Sequence, residues 1–151
     1  MLNYLLIAFI VVVALAPLTH FLPSKRQRRQ AAMREAAAVG GLFVEFRSLP
    51  GAAAGRVPQA QQDVIYYGCR LAPSKGRGSR RGAWLQRDGE WRSVGAGARA
   101  PIPEPLLACS ADILAASIDE GSCGVYWQEQ GDTATVGEIR TILLAWAEQI
   151  P

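Results

Sequence analysis

From Leu2 to Leu22 the chain is apolar apart from a few uncharged polar residues and His20, with no acidic residue, lysine or arginine. The run matches the roughly 20 apolar residues that cross a bilayer's hydrocarbon core. Backbone groups in lipid must pair internally, so the segment is expected to be a helix that gives up one bond at Pro17. Asn3 and Tyr4 at one end, and His20 and Phe21 at the other, suit the headgroup level. Ala14-Leu15-Ala16 imitates a signal-peptidase site. Pro17 would then open the mature chain and no cation precedes the apolar run, so the segment is expected to stay as an anchor.

After Leu22 the pattern changes. Ser24 is placed to cap a helix through an Arg/Gln/Ala-rich stretch to Val39, with Gly40-Gly41 as its stop. Period-two alternation then marks a strand, with Leu42, Val44 and Phe46 on one face and Glu45 and Arg47 on the other. The Gly- and Ala-rich stretch from Pro50 to Pro58 ends it. Val64 to Leu71 reads as a second strand whose inner face carries Ile65, Tyr67, Cys69 and Leu71. Ala83 to Arg87 and Glu90 to Val94 flank Asp88-Gly89, a strong two-residue hairpin signal. That turn sets Arg87 opposite Glu90 and puts Trp84 and Trp91 on one face as diagonal neighbours, read as packing.

Pro101, Pro103 and Pro105 enforce an extended connection, after which Leu106 to Ile118 is open between helix and strand. Val125 to Glu129 reads as a further strand. A final helix is expected from a capping box of Thr135 and Glu138, with Val136, Ile139, Leu143, Trp146 and Ile150 on one stripe. The resulting class is α+β: an N-terminal transmembrane helix, then a small domain of mainly antiparallel sheet with a packed C-terminal helix. The boundaries are 1–22 for the anchor, 23–41 for a basic juxtamembrane helix and 42–151 for the domain.

Charge adds an orientation. The chain has 16 basic and 13 acidic residues, a net charge of +3, but Lys25, Arg26, Arg28, Arg29 and Arg34 crowd just after the span. By the positive-inside rule they place the domain in the cytoplasm of a bacterial inner membrane, with the N-terminus outside. The same cluster can rest on anionic headgroups, so membrane lipids are partners through both anchor and cluster.

Candidate chemistry is sparse. The loop from Pro73 to Gly82 carries Lys75, Arg77, Arg80 and Arg81 among glycines, where backbone and guanidinium could meet an anionic ligand or an acidic partner. Its spacing fits neither the P-loop nor the dinucleotide fingerprint, and basic charge alone is no sign of nucleic acid, which is not expected as a partner. Ser110 and Ser122 have no histidine near in sequence to act as base. Asp119 and Glu120 are adjacent and point apart on a regular element. Cys69, Cys109 and Cys123 form no CxxC pair and read as reduced, packed thiols. With His20 at the membrane boundary, no metal site and no cofactor are expected.

An uncharged apolar anchor, then Pro23-Ser-Lys-Arg-Gln-Arg-Arg, then a small domain resembles the layout of the YajC-type accessory subunit of the bacterial preprotein translocase. The resemblance covers about the first quarter of the chain and implies a non-catalytic partner of export machinery. The chain therefore reads as a membrane-tethered, non-catalytic interaction protein, an accessory subunit or assembly factor of a larger inner-membrane protein complex. The alternatives are an anionic-lipid or nucleotide-binding module built on the loop 73–82, or a small membrane-bound enzyme.

Overall fold

A computed structural model of the chain describes residues 1–17, 23–51, 64–73, 80–95 and 100–151. The chain divides into two compact units, Met1–Ala31 and Ala32–Pro151, with the division falling inside one helix.

In the first unit, α1 (Leu2–Leu15) is 14 residues long and buries none of its side chains. Among the described residues no helix is long and apolar enough to cross a membrane. The apolar sequence runs on past Leu15, but residues 18–22, with His20 and Phe21, lie outside the described part. The second helix, α2 (Lys25–Val39), begins where Ser24 was expected to cap it. Gln27 N donates to Ser24 Oγ at 3.2 Å and Ser24 N donates to Gln27 Oε1 at 2.8 Å, a reciprocal box that satisfies two otherwise orphaned donors. It stops at the expected glycines. Gly41 adopts φ +82° and Leu42 N reaches back to Ala37 O at 2.9 Å, the pairing of a Schellman end.

The second unit is built on one six-stranded antiparallel sheet in the order β1-β2-β6-β5-β3-β4. Its strands are β1 (Phe43–Glu45), β2 (Ile65–Arg70), β3 (Gly82–Arg87), β4 (Glu90–Ser93), β5 (Ile113–Ile118) and β6 (Ser122–Trp127). The Asp88-Gly89 turn forms with φ +53° and +80°, and the register pairs Arg87 with Glu90 and Gln86 with Trp91. Trp84 and Trp91 are both buried in the main core, as expected for packing residues.

One face of the sheet carries that core. Ile65, Tyr67 and Cys69 of β2 and Cys123, Val125 and Trp127 of β6 meet Val136, Ile139, Leu143 and Trp146 of α3 (Thr133–Gln149). Each of the aliphatic side chains taken out of water contributes about 1.5–3 kcal/mol. Met33 and Ala37, on the half of α2 that belongs to this unit, are wholly buried in the same cluster. The helix cap sits one turn earlier than the sequence suggested: Asp132 and Thr135 form the box, with Thr135 N donating to Asp132 Oδ1 at 3.0 Å. Asp132 is a better acceptor for amide donors than a threonine in the first turn. The stretch left open between helix and strand divides into a 3-10 turn, Glu104–Ala108, and the strand β5.

Phe46 departs from the expected alternation. Pairing of β1 ends at Glu45, so the period-two rule lapses there and Phe46 is 82% exposed.

Candidate functional site

Among the described residues the other face of the sheet carries a smaller cluster, Val64, Tyr66, Ala115 and Tyr126, edged by Phe43 and Leu85. Two glycines shape it. Gly68 of β2 and Gly124 of β6 are register partners, and a Cβ on either would run into the Tyr66 ring. Strand glycines often mark such a close approach. Tyr66 therefore lies across the strands with no exposed surface, its centroid 4.9 Å from that of Tyr126.

Arg47 covers this ring. Its guanidinium carbon is 4.1 Å from the Tyr66 centroid, while Nε donates to Glu45 at 2.7 Å and Nη1 to Asp119 at 3.3 Å. Partial burial works against the charged guanidinium, but the Glu45 bond and the electron-rich neighbourhood outweigh it and raise the pKa. Asp119 closes the turn between β5 and β6. Its Oδ1 accepts Gly121 N at 2.9 Å, Ser122 N at 2.7 Å and Ser122 Oγ at 3.1 Å. Burial pushes the carboxyl up, and these bonds with Arg47 push it down further, so the net shift is below the usual carboxylate value.

Between these groups opens a cleft of about 790 Å³, within the range of small-molecule sites. Arg47, Asp119, Ser117, Tyr126 and Arg81 supply its polar lining, while Ile118, Val94 and Pro50 are apolar. The Ser117 and Tyr126 hydroxyls share a hydrogen bond of 3.1 Å, and those of Tyr66 and Ser122 one of 3.3 Å.

Of the basic loop, Lys75 and Arg77 lie outside the described residues. Arg80 turns away from the cleft lining, donating Nη1 to Ala72 O at 3.2 Å and Nη2 to the Pro151 carbonyl. Arg81 is exposed at the cleft and, among the described residues, makes no ion pair. In the first unit, Lys25, Arg26, Arg28 and Arg29 are all exposed.

Arg34 belongs to the second unit and has a defined partner. Nε and Nη2 grip the two carboxylate oxygens of Glu129 at 2.8 and 2.7 Å, and Tyr67 Oη donates to Glu129 Oε1 at 2.9 Å. The Glu129 side chain is 1% exposed and its backbone takes φ +53°, a left-handed conformation that glutamate rarely adopts. The bond to Glu129 raises the Arg34 pKa, and burial followed by the same carboxylate raises that of Tyr67. Every oxygen of this carboxylate is engaged by donors, which suits a structural clamp between α2 and the end of β6 better than an acid or base.

The cysteines offer little nucleophilicity. Cys69 and Cys123 face one another across β2 and β6, and all three thiols are free. Burial raises each pKa, to about 11 at Cys109 and about 12 at Cys123, so thiolate is scarce at neutral pH. No group of metal-ligating residues forms among the described residues.

Sequence reasoning passed over Arg47, Ser117 and Tyr126 as site residues, and weighed Asp119 only as a neighbour of Glu120. The readable signal was the pattern Tyr66-x-Gly68 facing Gly124-x-Tyr126, a glycine and a tyrosine two apart on each of two strands. No family model, curated protein or solved structure matches the chain.

Proposed function

We propose that this chain is a membrane-tethered domain that works by contact and carries out no catalysis of its own, an accessory subunit or assembly factor of a bacterial inner-membrane complex. The observation that carries the reading is α1. All its large apolar side chains are exposed, Leu2 by 80%, Phe9 by 67% and Val12 by 65%, while the second unit fills a core of its own. A continuous apolar surface of that kind is costly in water and calls for lipid or a protein partner.

At 1.5 Å per residue α1 spans about 21 Å, short of the roughly 30 Å of a hydrocarbon core, while the apolar sequence itself runs to Leu22. The exposed Lys25, Arg26, Arg28 and Arg29 beyond it favour the cytoplasmic side for the domain. Saturated Glu129, protonated thiols and the want of a histidine base in the described domain support contact over chemistry. The layout resemblance to the translocase accessory subunit makes protein-export machinery the first complex to test. A reporter fused after Pro151 should be active only as a cytoplasmic reporter, and protease outside spheroplasts should leave the domain whole. Cleavage of the domain from outside would reverse the orientation.

A further inference from the structure

We propose that the cleft on the sheet face opposite α3 is a binding site for a phosphate ester of a small polyol. The inference is independent of tethering and rests on the arrangement of charge and hydroxyls around one cavity.

Register places the key groups together. Gly82 pairs with Ile118, and Ala83 with Ser117. One step beyond Gly82–Ile118 lie Arg81 and Asp119, both lining the same cleft, yet they form no ion pair with one another. Among the described residues the Arg81 fork is thus available to a ligand that also reaches Asp119. Two arginines and one aspartate line the cavity, giving it a net charge of +1.

The two arginines have different duties. Arg47 is held by Glu45, Asp119 and the Tyr66 ring, so it is a fixed wall that keeps unused N–H donors. Arg81 has its whole fork available among the described residues, the geometry that pairs phosphate bidentately. Asp119 would repel an anion if its charge were bare. Here it is spread over two backbone amides, the Ser122 hydroxyl and Arg47, and its side chain is still 50% exposed, enough to accept a hydroxyl proton. Ser117 and Tyr126, with one bond between them, retain capacity for further hydroxyls. A bare phosphate would fill little of about 790 Å³, whereas an ester with a hydroxylated body would use both ends.

The probe is sn-glycerol 3-phosphate, titrated calorimetrically into the full chain held in phosphatidylcholine nanodiscs, with glycerol as the neutral control. Saturable binding of the phosphate ester without binding of glycerol is expected. Arg81→Gln should weaken it about tenfold or more, the usual cost of losing a charge-assisted pair. Ser117→Ala should weaken it less, and Arg92→Gln, an exposed arginine outside the cleft, should leave it unchanged. Repeating the titration in discs containing phosphatidylglycerol separates the sources: competition identifies a lipid headgroup, and its absence a soluble ester, each upholding the site. No saturation, equal binding of glycerol, or equal loss in Arg81→Gln and Arg92→Gln would overturn it.

Discussion

Glu129 combines two costs that a single residue seldom carries, a buried carboxylate and a left-handed backbone. The bidentate Arg34 and the Tyr67 hydroxyl offset both. Removing one partner of a buried pair is costly because the other is stranded, but Arg34 is 37% exposed and can recruit water. Glu129→Ala is therefore expected to lower stability by about 2 kcal/mol, less than a fully enclosed pair would lose. Arg34→Ala should be at least as damaging, since it leaves the nearly inaccessible carboxylate without its cation. Denaturant unfolding of both variants checks this, and changes below half a kcal/mol in each would show that the clamp is idle. A second residue-scale expectation concerns alkali. Cys123 holds its proton in the fold to about pH 12, whereas an unfolded thiol releases it near pH 8.5, about the usual value. The folded state binds more protons between those values, so the contribution is complete below about pH 8.5 and fades as pH rises toward 12. Tyr66 and Tyr67, also raised by burial, act in the same direction. The thermal midpoint should fall progressively over that window, and a flat profile would contradict the burial of these groups.

At the scale of elements, what could be read from sequence was what is decided locally. Asp88-Gly89 fixes its hairpin because both positions need a positive φ, which that dipeptide supplies at little cost. Ser24 and Gly41 bound α2 for equally local reasons, and the stripe of Val136, Ile139, Leu143 and Trp146 needed only helical period. Phe46 was misjudged because alternation predicts a face only while strand pairing lasts. The cap of α3 was misplaced because Thr135 and Glu138 satisfy the same spacing as Asp132 and Thr135. Asp132→Ala should accordingly destabilise the domain by about 1 kcal/mol, and Glu138→Ala by a few tenths at most. Comparing the two midpoints decides which box closes the helix; equal effects would show that the first turn is not capped by Asp132. Of the cleft only Arg81 was legible, as part of the basic loop. Arg47, Arg81, Ser117 and Asp119 meet only through sheet order, and the Arg34–Glu129 clamp joins positions 95 residues apart. No local pattern encodes such meetings.

At the scale of the molecule, the chain carries one unit that completes its own core and one apolar helix that buries nothing. The proposed tether accounts for that contrast, because a helix with every apolar side chain exposed is satisfied only by lipid or by a partner's apolar surface. The domain has its own cover: the Tyr66 ring lies over the glycine pair and is itself roofed by Arg47, and α3 packs on the opposite face. Truncation before Pro23 should therefore leave a folded, soluble domain whose calorimetric transition resembles that of the parent. The most direct test is an alkaline carbonate wash of membranes from cells making either the full chain or the chain lacking residues 1–22. The tether predicts that the full chain stays in the pellet while the truncated one is found in the supernatant. Release of the full chain by carbonate, or retention of the truncated chain in the pellet, would contradict it.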